Sequence, residues 1–133
     1  MKTAFSQSWK SSTQPRKQRK YRFNAPLHVR GSFMHCHLSP SLRKKHGKRN
    51  AQLRKGDTVK ILRGTYKKKS GKVERVNLRK GLAYITGVDL AKKDGTKIMI
   101  GIQASKLMIE DLILDDKRRL QAIQRKTKQK QTV

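Results

Sequence analysis

Residues 54–76 read RKGDTVKILRGTYKKKSGKVERV, and their pattern decides the fold class. Two short apolar-rich runs, Val59-Lys60-Ile61-Leu62 and Val73-Glu74-Arg75-Val76, flank a segment holding Lys67, Lys68 and Lys69 in a row. Short runs rich in β-branched residues predict strands, so the stretch predicts strand–loop–strand. Gly64 and Gly71 bracket the lysines and predict a sharp bend at each end, because glycine reaches backbone conformations that other residues avoid. Adjacent like charges repel. Concentrating them in one loop, with Arg63 and Lys72 alongside, predicts contact with a polyanion, which relieves the repulsion and releases condensed counterions. A nucleotide-binding P-loop is excluded: six residues separate the two glycines where that motif has four, and Val73 stands where it needs a hydroxyl.

Outward from this unit the β pattern continues. Strands are expected at 58–62, 72–76, 82–86, 97–102 and 106–109, with Arg79-Lys80-Gly81 and Asp94-Gly95 as turns. Ile98, Ile100 and Ile102 alternate with Lys97, Met99 and Gly101, as in a strand with one apolar face. Five short, closely spaced strands predict a mainly β fold, a small twisted barrel over 54–112. A C-terminal helix and tail follow over 113–133, capped by Asp115 and carrying Leu120 and Ile123 as its apolar stripe.

Upstream, residues 1–53 read as a basic extension. Residues 1–23 show no periodicity, and Asn24-Ala25-Pro26 is turn chemistry. One short helix is expected at 39–46, with Ser39 as cap, Pro40 at its first position and Gly47 just past its end. Arg43, Lys44, Lys45 and His46 crowd its last turn, where the helix dipole favours cations.

Charge narrows the function. The chain has 133 residues, 35 Lys and Arg against 8 Asp and Glu, and a net charge of +27. No carboxylate precedes Asp57, whereas the same region holds 15 cations. Self-repulsion on this scale opposes compaction until a polyanion neutralises it. Nucleic acid fits better than membrane, since a membrane-surface helix needs a wide apolar face, and Phe5, Trp9, Tyr21 and Phe23 are scattered among polar residues. Tyr21, Phe23 and Trp9 suit either stacking on unpaired bases or simple apolar docking, and Phe33 is expected to pack on the barrel. No apolar run reaches the length of a membrane span, no signal-peptide core opens the chain, and the single Cys36 suits a reducing compartment, so the expected location is cytoplasmic.

His35-Cys36-His37, with His28 and His46 nearby, invites a zinc reading. Three adjacent side chains do not converge easily on one ion, and only one thiolate is available; the expectation is no metal, with these residues lining an RNA contact. Cys36 has no acid near it in the chain to support nucleophilic catalysis, and the carboxylates sit at turns and helix starts. No catalytic residue, cofactor or small-molecule substrate is expected.

The order Lys55-Gly56-Asp57-Thr58-Val59, Gly64, Ser70-Gly71-Lys72-Val73 and Val76 resembles the KOW motif of RNA-associated proteins. With Asn24-Ala25-Pro26, His28, Arg30, Leu38-Ser39 and Leu42-Arg43 upstream, and Gly101-Ile102, Ser105-Lys106, Leu114-Asp115 and Arg118 downstream, the chain resembles one family of large-subunit ribosomal proteins. That family is numbered twenty-four in bacteria and archaea and twenty-six in eukaryotes, and the basic lead-in resembles its archaeal and eukaryotic branch. The resemblance implies an SH3-like barrel that binds the first domain of the large-subunit rRNA, early in subunit assembly and near the polypeptide exit. Neighbouring ribosomal proteins, and targeting or translocation factors at the exit, are the further partners it implies. Gly56, Asp57, Gly64 and Gly71 are then shape-setting. The expected rRNA-binding residues are Arg16, Lys17, Arg19, Lys20, Tyr21, Arg22, His28, Arg30, Arg43, Lys44, Lys45, Lys48, Arg49, Arg54, Lys55, Arg63, Lys67, Lys68, Lys69 and Lys72. A KOW-containing transcription regulator and a DNA-compacting protein are the competing readings. The first lacks room for its usual upstream α/β domain, and preference for duplex DNA over structured rRNA would mark the second.

Overall fold

The computed structural model describes residues 5–6 and 12–128. Its elements are α1 (Pro15–Asn24), α2 (Leu27–Phe33), β1 (His35–Leu38), α3 (Pro40–His46), β2 (Asn50–Gln52), β3 (Thr58–Ile61), β4 (Ser70–Asn77), β5 (Leu82–Ala91), β6 (Lys97–Gln103), a 3-10 turn (Ala104–Lys106), β7 (Leu107–Asp111) and α4 (Lys117–Lys128). The fold is mainly β, as expected, and fits a small KOW or SH3-like fold.

The seven strands form one mixed sheet in the order β2-β1-β7-β3-β4-β5-β6. Antiparallel pairing joins all neighbours except β1 and β7, which run parallel with Leu38 opposite Ile109. Leu38 near one end of this order and Ile102 at the other belong to the same buried cluster, so the sheet curls over on itself. Val59, Ile61, Val73, Ile85, Leu107 and Ile109 are its fully buried centre. Alternation along β3 and β7 puts every second residue there, the period-two signature of a half-buried strand. Ile102 is buried in the core and Ile100 packs half-buried against it, while Ile98 stays exposed near the strand's start.

Five strands were expected, and the extension supplies two more. Cys36, Leu38, Ala51 and Leu53 all enter the core, which therefore runs through the 53/54 boundary. β1 and β2 hold only four and three residues, too few to show a periodicity. β5 also outruns its expected span: a register shift between Tyr84 and Asp89, with Gly87 at φ 81°, lets pairing resume beyond the irregularity.

Residues 1–23 were expected to lack periodic structure, yet α1 is helical. Pro15 supplies a preset φ at the first position, and Arg, Lys and Gln are good helix formers. α1 buries no residue fully; Phe5 at 4.9 Å and Phe33 at 6.1 Å flank its Tyr21. α3 has the expected ends. The Ser39 hydroxyl accepts from the Leu42 N–H at 3.4 Å, and Gly47, at φ 61°, donates to the Arg43 carbonyl at 2.9 Å. At α4 the capping residue is Asp116 rather than Asp115: its carboxylate accepts from the Arg118 N–H at 2.8 Å.

Candidate nucleic-acid interface

Asp57 shapes the base of the opening loop. Gly56 (φ 94°) turns the chain before it, and a Cβ at Gly56 would collide with Ile113. The Asp57 carboxylate is fully buried. It accepts from the Arg54 N–H at 2.9 Å and the Ile113 N–H at 3.2 Å, and the Arg119 guanidinium grips both its oxygens, at 2.7 and 2.6 Å. Arg119, itself buried, also donates to the carbonyls of Ile113 (2.7 Å) and Gln52 (3.1 Å). One guanidinium thus ties α4 to the start of the barrel and to β2, using the planar, multi-donor geometry that lysine lacks. Sequence reasoning missed Arg119. The only available signal was that Arg119 and Ile123 lie four residues apart, on one helix face, beneath the lone acid of a basic region; both are buried, while Leu120 is only half-buried.

Above this base the 62–69 loop is folded tightly. The Lys68 N–H donates to the Ile61 carbonyl at 2.9 Å, the Ile61 N–H to the Lys69 carbonyl at 2.8 Å, and the Lys67 N–H to the Gly64 carbonyl at 3.0 Å. Gly64 adopts φ 104°, as the bend demands. Gly71 serves another purpose than expected. It sits in β4 without a left-handed backbone, and a Cβ there would meet the Thr86 carbonyl oxygen at 2.6 Å, so close approach of β5 requires glycine. The second left-handed residue is Lys68 itself, at φ 74°. Lys67, Lys68 and Lys69 consequently project into solvent, with Arg63 and Lys72 exposed beside them. Lys69 leans over the Tyr66 ring at 5.3 Å.

Two further groups of cations cover the extension. Arg16, Lys17, Arg19, Lys20 and Arg22 are exposed on α1, and Arg43, Lys44, Lys45 and Arg49 on and after α3. Lys55 and His28 are exposed too, and Lys48 is half-buried. Arg43 donates to the Leu38 carbonyl at 2.7 Å, and Lys48 to the Ala122 carbonyl. Two more expected ligands are likewise engaged within the fold. Arg54 pairs with Asp116, and Arg30 donates to the carbonyls of Ala25 (2.8 Å), Arg79 (3.0 Å) and Phe23. Four of the eight carboxylates are engaged in this way: Asp57 with Arg119, Asp116 with Arg54, Glu110 with Lys60 at 3.9 Å, and Asp94 with the turn at Thr96. None lies in residues 12–53 to neutralise the extension.

A model of one ribosomal protein family, described as number twenty-six in eukaryotes and number twenty-four in archaea, matches residues 12–126. The chain belongs to this family. It is 51% identical over 108 residues to the large ribosomal subunit protein uL24 of Methanothrix thermoacetophila, covering 81% of this chain and 93% of that protein. Against the uL24 of Methanosarcina barkeri it is 49% identical over 114 residues, 86% of this chain and 98% of the relative. The family is one of structural proteins, not of enzymes.

The rest of this ribosomal protein's chemistry agrees with a structural role. Cys36 is buried in β1, and burial, then the nearby Asp57 charge, push its thiol up to about 12, so no nucleophilic thiolate forms near neutrality. β1 alternation turns His35 and His37 away from Cys36, so the three do not converge. Among the described residues no group of His, Cys, Asp and Glu is placed to hold a metal ion. Burial, and secondly Lys48, lower the basicity of His35. The structure also places one cation that sequence reasoning did not select: Arg118 on α4 joins Lys48, Arg49 and Arg54, beside His35, around a cleft of about 530 Å³. Phe33 stands edge-on to Tyr21, with Arg22 above its ring, and Trp9 lies outside the described residues. No helix among the described residues is long and apolar enough to cross a membrane.

Proposed function

We propose that this chain is a structural constituent of the large ribosomal subunit that binds rRNA. Carrying the reading is one observation: the exposed cations of α1, α3 and the 62–69 loop have no acidic counterpart in the extension, while the ion-paired carboxylates stabilise the fold. Sixteen of the expected ligands are exposed Lys or Arg, from Arg16 to Lys72. Arginines among them clamp phosphates bidentately and lysines act as point charges. A-form RNA hides its bases in a narrow groove, so recognition proceeds chiefly through backbone and shape. The relatives' names support the subunit assignment. The barrel docks on the first rRNA domain, residues 1–53 lie between rRNA helices, and binding braces that domain during assembly. A place near the polypeptide exit puts neighbouring ribosomal proteins, and targeting or translocation factors, within reach on the cytoplasmic ribosome.

Sedimentation through sucrose at moderate salt tests the assignment. The tagged chain is expected with the large subunit, crosslinked in intact cells to the first rRNA domain; recovery at the top of the gradient, or with chromosomal DNA, would reject it.

A further inference from the structure

Where the α1–α2 corner meets the β4–β5 turn, a slot of about 380 Å³ opens among Arg22, Phe33, Met34, Arg79, Lys80 and Gln103. Phe33 is 40% exposed, a large ring left out of the core. Tyr21 holds it at 6.1 Å with the planes 65° apart, and fully buried Met34 floors the slot. Arg22 places its guanidinium over the ring at 6.0 Å, wider than direct contact. The two walls are tied together, since Arg30 links Ala25 on one side to the Arg79 carbonyl on the other, and the Asn77 side chain fixes the turn by accepting from the Lys80 N–H at 3.1 Å. None of the lining residues is acidic.

We propose that this slot takes one unpaired RNA base, stacked on Phe33 with its phosphates against Arg79 and Lys80. The proposal rests on the RNA-binding reading above and assigns it a specific subsite. A flat base needs about 3.5 Å to each neighbour, about 7 Å between ring and guanidinium. Arg22, exposed on a flexible stem, therefore has to withdraw by about 1 Å. Gln103 carries both a donor and an acceptor, which suits a base edge. A base within a helix cannot enter, because its faces are already covered; an acidic peptide would use the cations but not the ring.

Ultraviolet crosslinking of the full chain to a ten-residue oligouridylate, with the attachment site mapped by mass spectrometry, tests this directly. Attachment at Phe33 is expected, along with Phe33→Leu binding the oligouridylate about tenfold more weakly, within the range for losing one base–aromatic stack, and a blunt RNA duplex within twofold of the wild type. Arg22→Gln, which also removes one phosphate-binding cation, should weaken both RNAs, the oligouridylate more than the duplex. Attachment only elsewhere, or equal losses on both RNAs, would overturn the slot while leaving RNA binding intact. Equal competition by uridine monophosphate would overturn it in favour of a free-nucleotide site, and failure of the wild type to bind either RNA would remove both readings.

Discussion

Among single residues, the buried Asp57–Arg119 pair carries the most consequence. Taking two charges out of water is costly, and the pair persists because every carboxylate oxygen and most guanidinium donors are satisfied. Removing one partner strands the other. Asp57→Asn or Arg119→Met should each destabilise the protein by about 3–5 kcal/mol, read from urea midpoints, and the double variant should recover part of that loss. Cys36 makes an independent prediction. With its thiol at about 12 and its side chain buried, it should resist iodoacetamide at pH 8 in the folded protein and react at once in denaturant. Asp57 was legible as shape-setting from the motif, but its partner was not. A helix period can nominate the residues of a buried face, yet nothing local says that an arginine will occupy it.

Elements were legible where their punctuation is local. Ser39, Pro40 and Gly47 define α3 within nine residues, and the Arg79-Lys80-Gly81 and Asp94-Gly95 turns mark strand ends. β1 and β2 were not, because β2 exists only by pairing with β1, and β1 by pairing with β2 and the distant β7. Gly71 was assigned a bend when its role is contact across β4 and β5, a tertiary fact. Gly71→Ala should therefore cost about 1–3 kcal/mol by overpacking, whereas Gly81→Ala meets no neighbour and bears only backbone strain. The last turn of α3 adds a pH effect. Its dipole favours a charged His46, but burial, then Lys45 and Lys48, prevail and lower its basicity. A histidine whose folded pKa lies below its unfolded value of about 6.5 leaves stability fully present above that pH. Stability then falls as the pH drops towards the lowered value. Melting temperatures at pH 7.5 and 5.0 should differ less in His46→Gln than in the wild type.

For the whole molecule, composition announced a polyanion partner, while the fold shows how the charge is partitioned. Buried and ion-paired carboxylates hold the barrel to α4, leaving the extension and the 62–69 loop with cations facing water. Arg30 and Arg54 show that a cation expected at the interface can also hold the fold together: Arg30 donates to three carbonyls and Arg54 pairs with Asp116 while still exposed. Arg79, Lys80 and Arg118 went unselected because folding, not sequence proximity, brings them to clefts. The central claim is that the exposed cations act by neutralising phosphates. Filter binding to a fragment of the first rRNA domain across a salt series measures this most directly. A log–log slope of about −5 or steeper is predicted, made shallower by about 2–3 units when Lys67, Lys68 and Lys69 are all changed to Gln. A slope flatter than about −1, or one unmoved by that triple change, would contradict it.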